Sequence, residues 1–464
     1  MVTRVHRDAA AAPEPVPDDA VVVTGVGLVT GLGFGTEAVW PRLLAGASAI
    51  RELPPERFAL PIALPVRLGA EVPRAALAER IRRAVPRSVW NTSAPVCHVW
   101  LLAALEALAQ AGLWRADGAA ERPPLPDAER TGIYAGTGGG AHGFAEAEYI
   151  RVYTAEKAVQ RDVSRFAIPM YMASALAAQL SLLTGIRGPT LALSSACSSG
   201  SMALLTALDA LRLGRIERAV AGGADLTLTA ATLKGFANLG ALSTAREAGG
   251  HACRPFAADR SGMVLGEGAA CLVLERAGAA ARRGTVPLAV LLGGAAASEA
   301  HHLLHPLAEG AGMAECMRAA LADARVAPGR VAHVYAHGTG TRSNDACEAA
   351  ALARVLPHGP TVSASKSQLG HTLGAAGAID AVLAVRSLGS GQVPPLGPGE
   401  RPDPECPVQA ALAPAQPHVG PAGDPARAVL VNAFAFGGHN AALLFGPAPA
   451  AGAGNAPGPG SARP

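Results

Sequence analysis

The sequence predicts an α/β fold, and three observations carry that prediction. Short apolar runs bounded by glycine recur along the chain and read as strands. Between them lie stretches with apolar residues at 3.6-residue spacing, which read as helices. The strand runs are apolar at consecutive positions, so both faces of the sheet need helices to cover them. The clearest strands are Val21–Thr24, Gly132–Ala135, Leu191–Ser194, Arg218–Ala221, Ala269–Leu274, Val331–Tyr335 and Ala428–Asn432. The clearest helices are Pro95–Ala111, Met202–Leu213, Met313–Asp323 and Gly377–Leu388.

Composition narrows the function classes. Of 464 residues, 50% are hydrophobic and 16% charged, enough for a large core and the wrong balance for a disordered chain. A net charge of +3 gives no whole-chain attraction to nucleic acid or a membrane surface. The N-terminal MVTRVHRDAAAAPEPVPDD lacks an apolar core of a secretory leader, and no run of about 18 uncharged apolar residues reads as a membrane span. The seven cysteines are odd in number and scattered, unlike a disulfide framework or a structural zinc site. A reducing cytoplasm is the expected compartment. Residues 1–19 and 447–464 read as flexible tails, and the proline-rich stretch 393–428 as a surface excursion. Segments 20–290 and 291–446 share strand–glycine–helix punctuation, too weak a signal to establish a repeat from sequence.

The segment GPTLALSSACSSGSMALLTALDALRL sets Cys197 between an apolar strand and an apolar helix. A helix N-terminus favours a thiolate, which is a nucleophile able to form a thioester, and nearby backbone N–H groups can hold an oxyanion. A buried structural cysteine is the competing reading, of equal weight at this point.

Two loops downstream add histidines at strand ends. VAHVYAHGTGTRSND places His337 at the start of a turn rich in glycine and threonine, where Thr339 and Thr341 offer hydroxyls to a polar or phosphate-bearing tail. Asp345 is expected to cap the following helix, which carries Glu348. TVSASKSQLGHTLGAAG places Lys366 and His371 before a small-residue helix whose N-terminus would keep the imidazole neutral. Only three of the 39 basic residues are lysines, so Lys366 is an uncommon choice in this chain. One activated cysteine and two loop histidines suit thioester chemistry. A protease is disfavoured, because Gly-x-Cys-x-Gly is absent. His301, His302 and His305 lack an acidic partner and a regular helix, and are not read as a metal site. Arg74, Arg80, Arg82, Arg83 and Arg87, and a second group Arg212, Arg215 and Arg218, are either solvated faces or docking patches for an acidic partner.

The ordered motifs SSACSSG, AHGTGT, KSQLGH and NAFAFGGHN resemble those of the β-ketoacyl-[acyl-carrier-protein] synthase family of the thiolase fold. VVVTGVGLVTGLG, RPFAADRSGMVLGEGAACLVLE and GAAGAID are similar as well, so the resemblance runs from about residue 20 to 446. It implies a five-layer αβαβα core of two similar halves, usually dimeric. It implies decarboxylative Claisen condensation, with an acyl group loaded on Cys197 from an acyl carrier protein. His337 and His371 would then flank the malonyl thioester, and Lys366 would orient His371 and pair with Glu348. The backbone N–H groups of Cys197 and Phe436 would form the oxyanion hole. Phe436 would gate the cysteine, and Thr339 and Thr341 would contact the phosphopantetheine arm. No cofactor is implied beyond that arm, which the substrate brings.

Some positions depart from housekeeping fatty-acid members. GTGTRSND, with Asn344 and Asp345 at its end, is closer to ketosynthases of type II polyketide systems, including polyene-making ones. Ala435 and His439 stand where glycine and threonine are frequent, Leu304 where a hydroxyl residue is common, and RSVWNTSAP (87–95) differs from the usual entry to its helix. The leading expectation is therefore a ketosynthase in polyketide or polyene biosynthesis. The alternatives are housekeeping fatty-acid elongation, acyl transfer on the same fold, and a non-elongating partner subunit. Cys197 argues against the last, since the chain length factor lacks that residue. Homodimer and heterodimer with a chain-length-factor-like homologue both stay open.

Overall fold

The computed structural model describes residues 17–58, 67–115, 125, 127–154, 163–397, 403–410 and 427–448, apart from the side chains of 246–248. The expected tails fall almost wholly outside the described residues, as does most of the stretch 393–428. The main sheet path uses strands β1 (Val21–Thr30), β2 (Thr131–Gly136), β3 (Thr190–Leu193), β4 (Arg218–Asp225), β5 (Gly268–Arg276), β6 (Ala289–Ser298), β7 (Val331–Tyr335), β8 (Thr361–Ser363), β9 (Gln409–Ala410), β10 (Ala428–Ala435) and β11 (His439–Pro447). Their spatial order is β9-β8-β7-β10-β11-β6-β1-β5-β4-β2-β3.

That order contains one pattern twice. Apart from the two-residue edge strand β9, which adds to the outside of β8, the strands of each half run third, second, fourth, fifth, first. The second strand lies parallel to the third and fourth, and the fifth is antiparallel to the fourth and first. The halves join where β1 pairs with β6 through Val22 with Val290 and Val23 with Ala289. The repeat that was too weak in sequence is thus plain in topology. The second half opens with β6 at Ala289, so the break lies slightly before position 290.

The helices repeat as well. α1 (Pro95–Gln110), α2 (Ala175–Thr184) and α3 (Ser199–Arg212) occupy the same places between strands as α4 (Ala311–Asp323), α5 (Arg342–Val355) and α6 (Ala376–Ser390). Side-chain alternation assigns the layers. In β5, Ala270, Leu272 and Leu274 pack into the core that holds α3 and α6, whereas Ala269, Cys271 and Val273 face α1 and α2. In β10, Val429 and Val431 face the same central core, and Ala428 and Leu430 face α4 and α5. This is the five-layer arrangement that the resemblance implied. The stretch Leu373–Ser390 is apolar enough to span a membrane by length and composition, yet 83% of it is buried here as the central helix.

Each predicted strand and helix is present, with its ends displaced by a few residues or, for β1, extended to Thr30. Strands β6 and β11 escaped the reading because LLGGAAAS and HNAALLFG lack the β-branched runs that mark strands; their place in mid-sheet makes them extended. One expectation needs correction. The strand beginning at Thr190 is not covered on both faces, because β3 is the edge of the sheet and its residues Thr190, Leu191 and Ala192 are exposed.

The two central helices begin against each other. A Cβ on Gly200 would lie 2.8 Å from the carbonyl oxygen of Gly374, and one on Gly377 would lie 2.1 Å from Ser201 Oγ. Only glycine permits that approach, which brings the turn before α3 beside the turn before α6.

Candidate active site

Cys197 sits in the turn between β3 and α3. Ala196 adopts φ +51°, a left-handed backbone uncommon for a residue with a Cβ. The serines of SSACSS hold the turn: Ser199 Oγ donates to Ala196 O (2.6 Å) and accepts from Ser195 N–H (2.9 Å), and Ser198 Oγ donates to Ser195 O (2.8 Å). Small hydroxyl residues can therefore maintain a conformation that exposes the cysteine to the cleft. Asp225, at the end of β4, supports the turn from below. Its carboxylate accepts from Thr137 Oγ1 and from the N–H groups of Gly138, Gly139 and Gly374, tying both halves together. Sequence reading missed Asp225, because nothing local marks it.

His371 faces the sulfur, with Nε2 3.1 Å from Cys197 Sγ. Its Nδ1 accepts the N–H of Leu373 at 3.3 Å, so the ring hydrogen resides on Nε2 and points at the sulfur. His337 lies edge-on to His371, the ring centroids 5.2 Å apart and the planes at 82°. Its Nδ1 is buried without a hydrogen-bond partner among the described residues. Burial, then the Lys366 charge, holds His371 well below the usual imidazole range. His337 is held down by burial, Lys366 and His371 in that order. Both rings are thus neutral at neutral pH. The dominant cause is desolvation, not the helix N-terminus that the sequence suggested.

The cysteine also meets desolvation. Burial pushes the Cys197 thiol up to about 12, while the Lys366 charge and the backbone N–H groups of Cys197 and Phe436 pull it down. The helix-terminal thiolate expected from sequence is therefore opposed by burial. The same two N–H groups converge on the sulfur, where an oxyanion of a thioester would form.

Lys366 is 1% exposed and makes its ion pair with Asp380 Oδ2 at 3.5 Å. Ser365 Oγ donates to the other oxygen of Asp380 at 2.5 Å. The expected Lys366–Glu348 pair is not formed; Asp380, on α6 next to the lysine's own loop, takes that place. Glu348 serves the histidine loop instead. It accepts the N–H of His337 and of Gly338, both at 2.8 Å, and the Asn432 amide at 3.2 Å. Burial raises Glu348 to about 7 against those donors. Asp345 lies inside the first turn of α5 and reaches back to the N–H groups of Thr339 (3.1 Å) and Gly340 (3.2 Å), and to Phe256 N–H (2.9 Å). It braces the loop and does not cap the helix.

Cys197, His337 and His371 form the base of one cleft, which Thr339, Thr341, Asn344, Phe434 and Phe436 also line. Thr339 and Thr341 hydroxyls lie 2.9 Å apart. Phe436 stacks on Phe236 with ring centroids 6.3 Å apart, and Gly437, at φ +82°, donates its N–H to Leu303 O at 2.7 Å. Several of the arginines have intramolecular partners. Arg74 pairs with Glu267, Arg82 and Arg80 cover the rings of Trp90 and Phe34, Arg83 pairs with Glu79 and Arg212 with Asp323. Arg218 is buried against Glu275 and offers nothing to a docking partner.

The chain that carries this cleft matches a known family. Residues 18–280 match the beta-ketoacyl synthase N-terminal domain, and residues 288–399 match the beta-ketoacyl synthase C-terminal domain. The chain belongs to the beta-ketoacyl synthase family. A nodulation protein E of Rhizobium leguminosarum bv. trifolii is 35% identical over 92% of this chain and 99% of its own length. The chloroplastic 3-oxoacyl-[acyl-carrier-protein] synthase I of Hordeum vulgare is 32% identical over 94% of this chain and 91% of its own length. Among solved structures, a type II PKS ketosynthase in complex with its acyl-carrier protein is 26% identical, with a TM-score of 0.80 over 92% of this chain and 99% of that one. The chain is accordingly a β-ketoacyl synthase, an acyltransferase on the thiolase-like fold.

Proposed function

We propose that this β-ketoacyl synthase is the condensing subunit of a type II polyketide or polyene pathway, acting on chains carried by an acyl carrier protein. One observation carries the catalytic part: Cys197 Sγ lies 3.1 Å from a donor-form His371, with His337 beside it at the base of an open cleft. In the first half-reaction the thiol of Cys197 attacks the carrier's thioester. The acyl–sulfur bond to the phosphopantetheine arm breaks, the arm leaves as a thiol and acyl-Cys197 remains. In the second, malonyl thioester loses CO₂, and the resulting enolate oxygen receives hydrogen bonds from His337 and His371. Neutral donors suit this step, because they stabilise growing negative charge without protonating the carbon nucleophile. The enolate carbon then attacks the acyl carbonyl. Its oxyanion lies against the N–H groups of Cys197 and Phe436, the carbon–carbon bond forms, and the Cys197–acyl bond breaks to release Cys197 as the thiolate, which takes a proton from solvent to return the thiol. Lys366 is a positioning residue acting through His371, and Glu348 and Asp345 hold the His337 loop. Phe436 gates the thiol, and Thr339 and Thr341 meet the phosphopantetheine arm.

The polyketide assignment draws on the Asn344–Asp345 ending of the His337 loop and on the shape match with a type II PKS ketosynthase. The exposed edge strand β3, with Leu191 45% exposed, supports a subunit contact with a second copy or a chain-length-factor-like homologue. Fatty-acid elongation is the second reading, favoured by the higher identity to the chloroplastic enzyme. Reconstitution with a malonyl-loaded carrier separates them. Polyketide work predicts repeated extension with unreduced or polyunsaturated primers accepted, while preference for saturated primers and a single extension supports elongation. An unchanged acyl adduct by intact mass in Cys197→Ala contradicts both.

A further inference from the structure

Two histidines that the mechanism leaves unused lie at the mouth of the same cleft. His302 and His305 line it together with the catalytic residues, and burial falls steadily from base to rim. His371 is 1%, His337 2%, Thr339 6% and Cys197 7% exposed, whereas Thr341 is half-buried and Ser343, His302 and His305 are exposed. A thioester whose carbonyl reaches Cys197 must therefore run its arm past the two threonines and out between Ser343 and these imidazoles.

The rim lacks strong cations. Among the described residues lining the cleft there is no lysine or arginine. Its one carboxylate is committed: Glu299 Oε1 accepts from Asn440 Nδ2 at 2.9 Å, and Oε2 accepts the Leu307 N–H at 2.7 Å. Among the described lining residues, the exposed ring N–H donors at the cleft are the two imidazoles. Their rings lie 4.7 Å apart. They are differentiated by their hydrogen bonds. His302 Nδ1 accepts the N–H groups of Leu304 (3.0 Å) and His305 (3.2 Å), which leaves the ring hydrogen on Nε2 and makes His302 a fixed donor. The His305 ring has no such restraint among the described residues, so either ring nitrogen can carry its hydrogen and donate.

We infer that His302 and His305 form an imidazole pair that receives the phosphodiester of the carrier arm at the cleft mouth, His302 donating from Nε2 and His305 supplying a second donor. The inference rests on the condensing function proposed above and names positioning residues for its substrate. A hydroxyl would reach a neutral pantetheine amide as readily; an imidazole pair adds affinity for the anion, so the signature is discrimination between arms with and without phosphate.

The test compares malonyl-phosphopantetheine with malonyl-pantetheine, which lacks the phosphate, using the acylated full-length enzyme. The wild-type KM is expected to be about five- to tenfold lower for the phosphorylated thioester. His305→Ala, and His302→Asn, which keeps an acceptor near the Nδ1 position for the loop, should remove most of that preference. They should do so by raising KM for the phosphorylated compound alone, with kcat and thermal midpoint unchanged. His305→Arg should restore it. Equal KM values for the two thioesters in the wild type, or equal rises for both in His305→Ala, overturn the pair while leaving the condensing function intact. Turnover of neither thioester by the wild type defeats the condensing function itself, and the pair with it.

Discussion

The sharpest consequence of the geometry concerns His371. Its Nδ1 is occupied by the Leu373 N–H, so Nε2 is a hydrogen-bond donor and cannot act as the base that ionises Cys197. His371→Ala removes one of two donors aimed at the developing enolate. Loss of one preorganised donor from a dry site costs about 2.7–4 kcal/mol of transition-state stabilisation, or about 10²–10³ in rate. Decarboxylation should therefore fall by that factor, measured as CO₂ released from malonyl carrier protein. Acylation of Cys197 should fall far less, by about tenfold at most, because the sulfur keeps the Cys197 and Phe436 N–H groups and the Lys366 charge. Time-resolved intact mass gives the acylation rate independently of CO₂ release. An equal collapse of both half-reactions would falsify the donor assignment, since it would make the imidazole the proton acceptor of the thiol. Undiminished CO₂ release would remove His371 from the chemistry altogether.

Other outcomes follow from the buried charges. Lys366→Met removes a positive neighbour from both imidazoles, so their pKa values rise and the acid limb of the kcat profile moves to higher pH; an unmoved limb refutes the coupling. The same change strands Asp380, with a loss of about 3–5 kcal/mol read from denaturant midpoints, and Lys366→Met/Asp380→Leu should recover much of the stability without restoring the pH profile. Glu348→Gln turns an amide NH2 toward one of the two backbone N–H groups, which thereby loses its acceptor, costing about 1–3 kcal/mol and displacing the His337 loop; kcat falls while Cys197 acylation persists. In the unfolded chain His371 binds a proton near pH 6.5, but in the fold it stays neutral well below that. Stability therefore drops as pH falls below 6.5, by about 1.4 kcal/mol per unit for this ring. The slope of urea stability against pH should be shallower by that amount in His371→Ala, and identical slopes count against a neutral buried ring.

Much of this enzyme is legible in its linear sequence. The strand before Cys197, the helix after it and the loops around His337 and His371 are visible because buried strands and helices impose their own periodicities, and because turns demand glycine and small hydroxyl residues at fixed places. Local order along the chain also determined which residues are chemical: a cysteine and two histidines, each at the end of an apolar run. The tertiary structure decided what those residues experience. It gave Lys366 to Asp380 and Glu348 to the His337 loop, tied both halves through Asp225, buried Arg218, and set His302 and His305 on the rim of the cleft. It also replaced a helix-terminal thiolate by a desolvated thiol. Desolvation and hydrogen-bond acceptance depend on what lies across a few ångströms of space, and residues such as Asp225 and Gly374 meet there from positions 149 apart in the chain.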